Sequence, residues 1–245
     1  MADLSWLTAR PIAHRGLHAA NTIENSESAF AAALEQKYAI ECDLQISSDG
    51  EAMVFHDDDV DRLLNAKGLV KNFTTAQIKA MTFKNGFDHV QTLSELLEQV
   101  DGKVSLVIEL KSHWDGDLTL AKRSIEVLQH YKGAYGLMSF DPEIIACIAE
   151  LSPKTMRGIT ADRVTDPYYD MLSLERRLSM RRFSHIQKTR PHFVSFDFKQ
   201  LPFQPVTELR ALGLPVITWT IESEEQAAQA LQHCDQVTFQ GYLPA

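Results

Sequence analysis

Several short runs in this 245-residue chain are almost wholly apolar, and stretches of helical period separate them. The runs around Val107, Val194 and Val216 are the clearest. A strand that alternates apolar and polar residues has one wet face, whereas a continuously apolar strand is covered on both. Strands of that kind, each followed by a helix, restrict the chain to a parallel sheet with helices packed outside it. With one hairpin return set aside, about eight strand–helix units remain, the number expected of a parallel barrel of roughly 250 residues. A doubly wound open sheet is the alternative, but no Gly-x-Gly-x-x-Gly follows any strand. The expected fold class is α/β, a (β/α)8 TIM barrel with a β-hairpin after strand 2 and a small insertion before strand 3. With 44% apolar residues, and no repeat or linker, residues 1–245 are expected to form a single domain.

Charge and cysteine content narrow the function classes. A net charge of −9 and a pI near 5.5 argue against a nucleic-acid surface and admit anions only through local positive groups. No run approaches the roughly 20 apolar residues of a membrane span, so no stable membrane insertion is expected. Met1 to Arg10 has no apolar core or cleavage signature, which predicts no export by an ordinary signal peptide. Cys42, Cys147 and Cys234 are too scattered for a disulfide framework or a zinc knuckle. A reduced, cytoplasmic enzyme is the most economical reading.

Along the chain, Pro11 to Gly16 reads as a strand, Ser26 to Lys37 as a helix capped by Ser26, and Tyr38 to Asp43 as the second strand. Residues 58–91 have mixed polarity and little core period, and are expected to be an insertion lying over the site. Strand and helix then alternate: a strand over Val104 to Lys111, a helix over Pro142 to Leu151, a basic helix over Tyr168 to Ile186 and a strand over Leu214 to Ile221.

The segment Glu41 to Asp57 carries the strongest local signal, two strand-like runs joined by Asp49-Gly50. A two-residue loop there pairs Ser48 with Glu51, Leu44 with Phe55 and Asp43 with His56. Glu41 shares the face of Asp43 because side chains alternate along a strand. In a parallel barrel the functional groups sit at the C-terminal ends of strands. That rule collects His14 and Arg15, then Glu41 and Asp43, then Glu109 and Lys111, with His56 brought in by the hairpin. Three converging carboxylates repel one another unless a cation neutralises them. An all-oxygen donor set suits Mg²⁺, Mn²⁺ or Ca²⁺ better than zinc. Arg15 and Lys111 beside such an ion suit an anionic substrate, and Arg matches phosphate in a bidentate way. Two histidines can divide acid and base work at neutral pH.

His14-Arg15-Gly16, Glu24-Asn25-Ser26, Ile40-Glu41-Cys42-Asp43, Asp49-Gly50 and Phe55-His56-Asp57 together resemble the signature of the glycerophosphodiester phosphodiesterases. Glu109-Leu110-Lys111, Ser139-Phe140 and Thr218-Trp219-Thr220 extend the resemblance in the same order. It implies metal binding by Glu41, Asp43 and Glu109, together with Glu24 or its neighbourhood, and one divalent cation, Mg²⁺ before Ca²⁺ or Mn²⁺. It implies His14 and His56 as acid and base, and Arg15 and Lys111 as phosphate binders. The implied reaction cleaves a small glycerophosphodiester to sn-glycerol 3-phosphate and an alcohol. The end, Thr238 to Pro244, lacks the aspartate that the family often carries after the last strand.

Plainer readings exist for several of these residues. Glu24 and Asn25 could cap the following helix, and Glu109 and Lys111 could pair with each other. Trp219 is either barrel packing or a platform for the glycerol or alcohol group. Arg176, Arg177, Arg181 and Arg182 read first as a solvated face, with a phosphate or membrane-surface role as the minority reading. Two other functions fit less well: a lysophospholipase D-type enzyme, and a catalytically silent barrel that binds a phosphoryl ligand.

Overall fold

The computed structural model describes residues 3–19, 22–84 and 86–244. Small parts of the N-terminal stretch (1 and 2), the first loop (20 and 21), the insertion (85) and the C-terminus (245) lie outside the described residues. The strands are β1 (Ile12–Ala13), β2 (Ala39–Ile46), β3 (Ala52–Val54), β4 (Leu106–Leu110) and β5 (Tyr135–Ser139), then β6 (Arg157–Ala161), β7 (Phe193–Asp197), β8 (Val216–Ile221) and β9 (Gln236–Phe239). All but β3 run parallel, and the pairing of β1 with both β2 and β9 closes the sheet into an eight-stranded barrel. Helices surround it, as the alternation of apolar strands and helical stretches predicts.

Period two explains how one strand serves two cores. In β2, Ile40, Cys42, Leu44 and Ile46 join the large cluster shared with the surrounding helices. The intervening residues Glu41, Asp43 and Gln45 are also buried, and by alternation they point into the barrel. The N-terminal end of the barrel is packed with apolar side chains. Ile12, Val107, Met138, Phe193 and Ile217 cluster there with Leu7 from the short helix Ser5–Thr8. Gly158 makes room for the Phe193 ring, since a Cβ at that position would lie 2.3 Å from Phe193 Cε2. With that end sealed by packing, polar groups are left to the other end.

The hairpin forms with a register one residue away from the expected one. Leu44 pairs with Val54, Gln45 with Met53 and Ile46 with Ala52. The loop is three residues, 48–50, with Ser47 N–H donating to Glu51 O and Gly50 at φ +84°. Asp49 causes the longer loop: its Oδ1 accepts from Ser47 Oγ at 2.6 Å and from Thr75 N–H at 2.8 Å. A one-residue slip moves side chains to the other face. Met53 and Phe55 therefore face the insertion, where they form a cluster with Val60, Leu64, Val70, Ile78, Phe83 and Val90. The insertion thus has a small core of its own, and its helix Thr75–Ala80 starts at a Thr74/Gln77 capping box.

The basic helix expected over Tyr168 to Ile186 is broken into three. A 3-10 turn, Pro167–Met171, follows the Asp166 cap, a helix Leu174–Arg181 begins at Ser173, and a last turn spans Ile186–Thr189. Two side-chain caps within eight residues restart the backbone, and Phe183 in the left-handed region (φ 54°) stops it. Nor are all its arginines free: Arg176 pairs with Asp141 and Arg177 with Asp170, both at 2.8 Å. Among the described residues no helix is long and apolar enough to cross a membrane.

Candidate active site

The site begins where β1 ends. His14 N–H donates to Phe239 O of β9, which holds the residue at the barrel rim. Arg15 then enters the left-handed region (φ 55°) and turns its own N–H onto Glu41 Oε2 at 2.9 Å. Gly16 follows at φ +79°, and a Cβ there would lie 2.9 Å from the backbone of Ala29. No other residue fits that position, so the glycine lets the helix Glu27–Gln36 pack close behind the site. Asn25, also left-handed (φ 53°), accepts from Asp43 N–H at 3.2 Å and donates from Nδ2 to Asp43 Oδ2 at 2.9 Å. Two strained residues thus aim donors at two buried acids.

Glu41, Asp43 and Glu109 each offer an oxygen within 4.8 Å of the others, and all three are buried. Burial, and then the charges of Asp43 and Glu109, push the Glu41 carboxyl well above its usual range. Asp43 is also buried, but Lys111, His56 and Arg15 outweigh that and hold it ionised far below the usual carboxylate range. Lys111 Nζ lies 2.7 Å from Asp43 Oδ1 and also pairs with Glu109. The pairing foreseen between Glu109 and Lys111 therefore exists, and it forms inside the acidic cluster. A hard, oxygen-only donor set in which one acid is strained by its neighbours fits a divalent cation.

His14 and His56 line one cavity of about 190 Å³ together with Glu41, Asp43 and Glu109. His14 Nδ1 lies 2.7 Å from Gln240 Oε1, and burial followed by the charge of Arg15 lowers the imidazole to about 4. His56 does not pair across the hairpin with Asp43. β3 ends at Val54, Gln45 Nε2 donates to the carbonyls of His56 and Asp57, and the chain bends inward instead. His56 Nδ1 then meets Asp57 Oδ1 at 2.7 Å, and Arg62 clamps both Asp57 oxygens. Arg62 also holds Glu24, which in turn accepts from Arg15 at 2.7 Å. Although Glu24 is partly buried, these two guanidinium groups lower it to about 2.

The expected residues therefore divide. His14, Arg15, Glu41, Asp43, His56, Glu109, Lys111 and Trp219 all line the one cavity. Glu24 stands apart from the three acids, between two arginines, and Asn25 supports Asp43 from outside the cavity. Ser139 Oγ donates to Leu110 O at 2.7 Å and so presents Phe140 inward, where it packs edge-on against Trp219 at 5.8 Å. Thr218 Oγ1 donates to Phe196 O in the same way beside Trp219. Sequence reasoning gave no role to Arg62, Asp57 or Gln240, and missed an aromatic group of Trp114, Tyr168 and Tyr169 beside the cavity. The Phe-His-Asp run contained the Asp57 signal; Arg62, Gln240 and Trp114 sit in irregular segments that carry no periodic pattern, and Tyr168 and Tyr169 lie in a 3-10 turn where a basic helix was expected.

An eight-stranded barrel with an acidic, cation-fitting cluster, two imidazoles and an Arg–Lys pair at its C-terminal rim defines an enzyme acting on a phosphoryl group. Residues 14–236 match the model of the glycerophosphoryl diester phosphodiesterase family, and the chain belongs to that family of hydrolases. A glycerophosphodiester phosphodiesterase from Caldanaerobacter subterraneus subsp. tengcongensis is 41% identical over 90% of this chain and 89% of its own length. Another from Bacillus subtilis is 26% identical over 87% of this chain and 76% of its own. Among solved structures, an Oleispira antarctica phosphodiesterase in complex with the product sn-glycerol-3-phosphate superposes with a TM-score of 0.80 at 21% identity, covering 96% of this chain and 95% of that one.

Proposed function

We propose that the chain, acting as one catalytic domain, hydrolyses glycerophosphodiesters to sn-glycerol 3-phosphate and an alcohol, with a divalent cation held by Glu41, Asp43 and Glu109. The observation that carries this reading is the shared cavity: both imidazoles, both phosphate-binding cations and all three acids line the same space. Arg15 and Lys111 orient the phosphodiester and offset its charge. One imidazole takes the proton of the attacking hydroxyl, and the other supplies a proton to the departing alkoxide as the P–O bond breaks. Water attacks directly, or a hydroxyl of the substrate's own glycerol attacks first and water then opens the resulting cyclic phosphate, breaking its ring P–O bond to give sn-glycerol 3-phosphate. When bound, the cation polarises phosphoryl oxygen and offsets developing negative charge. Gln240 and Asp57 fix the two rings by their Nδ1 atoms, leaving both Nε2 atoms for proton transfer.

Hydrolysis of glycerophosphocholine, with EDTA and with Mg²⁺, Mn²⁺ or Ca²⁺ restored in turn, tests the proposal. Glu41→Ala and Asp43→Ala are expected to abolish turnover and metal binding while the fold persists. His14→Ala and His56→Ala should each cost roughly 10²–10⁴-fold in kcat. Unimpaired turnover in either acid variant, or a loss below tenfold in a histidine variant, removes the corresponding role.

A further inference from the structure

Beside the 190 Å³ cavity opens a second chamber of about 540 Å³, and the two share His56, Glu109, Lys111 and Phe140. The deeper space suits the glycerol phosphate half of a diester. It is the smaller of the two, and Ser195 Oγ and Trp219 Nε1 line it without a hydrogen-bond partner, Ser195 being only 1% exposed. Buried donors in that state fit a ligand rich in hydroxyls. The alcohol half then extends past His56 into the wider chamber.

That chamber has an unusual lining. One wall is aromatic: Trp114, Tyr168 and Tyr169 pack edge-to-face with centroids 5.4–6.4 Å apart, and Trp114 Nε1 donates to Tyr168 Oη. The remaining charge is acidic. Asp58, Asp59, Asp162 and Asp166 line the chamber outside the ion pairs of Asp57 with Arg62 and of Glu109 with Lys111, and Lys111 is the one lysine or arginine among the described lining residues. Nor do neighbouring cations cancel this. Lys111 is taken up by Asp43 and Glu109, Arg62 by Glu24 and Asp57, and Arg176, which lies 5.0 Å from the Trp114 ring centroid, by Asp141. His113 Nδ1 is 3.6 Å from Asp58, Asp162 accepts from Tyr169 Oη, and Asp166 caps the turn that carries both tyrosines. Asp59 Oδ1 receives a backbone N–H from Asp61.

We propose that this chamber is the leaving-group subsite and that it selects a substituted ammonium head group, such as choline or ethanolamine. The proposal rests on the phosphodiesterase reading above and adds to it which diester is preferred. Rings attract an ammonium through their quadrupole, and a cleft lined by one sign of charge concentrates ligands of the other sign. A neutral glycerol head group gains neither attraction, and a serine head group sets a carboxylate, repelled by the same acids, against its ammonium.

The test compares kcat/KM of the metal-loaded enzyme for glycerophosphocholine, glycerophosphoethanolamine, glycerophosphoglycerol and glycerophosphoserine. The first two are expected to exceed the third by roughly five- to thirtyfold, the range of one cation–π contact from exposed to desolvated, with glycerophosphoserine below glycerophosphocholine and glycerophosphoethanolamine. Tyr168→Leu and Asp59→Asn alter side chains that line the chamber and should lower kcat/KM for glycerophosphocholine several-fold more than that for glycerophosphoglycerol. Equal or better turnover of glycerophosphoglycerol by the unaltered enzyme overturns the proposal and leaves the phosphodiesterase reading standing. An equal loss on both substrates in the variants does the same. No turnover of any diester removes the reading and the proposal together.

Discussion

His14 Nδ1 lies 2.7 Å from Gln240 Oε1, so the residues that follow the barrel's first and last strands meet through a ring that lines the acidic cavity. The contact settles the tautomer, because an amide oxygen can only accept: Nδ1 carries the proton and Nε2 is left bare. Gln240 Nε2 is itself held by Glu222 at 3.0 Å, which fixes the amide orientation.

Gln240→Leu removes that acceptor without altering the cluster of Glu41, Asp43 and Glu109. The expected result is a fall in kcat of about tenfold or more, the cost of a misoriented acid or base, with KM within twofold of its original value. Steady-state kinetics on glycerophosphocholine check it, and a change in KM alone contradicts the orienting role.

Arg62 ties the insertion to the barrel by bonding Asp57 and Glu24 at once. Arg62→Ala should free Asp57 to rotate and loosen His56, lowering kcat by about 10–100-fold. Arg62→Lys keeps the charge but cannot bridge two carboxylates with the same fork geometry, and should recover only part of the loss. Full activity in Arg62→Ala means that Asp57 holds the ring unaided.

The site and fold were legible to different depths, for physical reasons. Strands buried on both faces leave a continuous apolar trace, so the barrel could be read from β4, β7 and β8. Acids inside such strands are costly unless used, and Glu41, Asp43 and Glu109 stood out for that reason. The hairpin register depended on where one carboxylate bonds. Asp49 chose Ser47 and Thr75, the latter 26 residues away, and no local rule foresees that. His56 reached the cavity by a bend after β3, not by the cross-strand pairing expected of it. The chamber wall was the least visible, since Trp114 comes from a loop and Tyr168 and Tyr169 from a 3-10 turn that only the closed barrel brings together.

Burial and two neighbouring acids keep the Glu41 carboxyl raised, so the metal-free cluster is electrostatically strained. A cation that binds only the folded state stabilises it by RT ln(1 + [L]/Kd), about 2.7 kcal/mol at a hundredfold excess over Kd. For a chain of this size that is roughly 5–10 °C in Tm. Mg²⁺ or Mn²⁺ should raise Tm by that order in the unaltered protein and by far less in Glu41→Gln. Without metal, Glu41→Gln should melt no lower than the parent, because it deletes a repelled acid. Calorimetry with and without EDTA decides both, and a metal-independent Tm in the parent contradicts the cation site.

His185 gives a pH dependence that is separate from catalysis. Burial pushes its imidazole down to about 4 against a usual value of 6.5, outweighing the opposing charge of Glu143. The folded protein therefore keeps His185 neutral between those values, while the unfolded chain takes up a proton. Stability rises with pH wherever the unfolded state binds more protons, so this residue's contribution is complete above pH 6.5 and is lost as pH falls towards 4. The residue is only partly buried by surface area, so the loss is discounted for solvent screening to about 1–2 kcal/mol. His185→Gln removes the titration, and its denaturant midpoint should drop less than the parent's between pH 7 and pH 4.5. Parallel losses in the two proteins would show that this ring does not govern acid sensitivity.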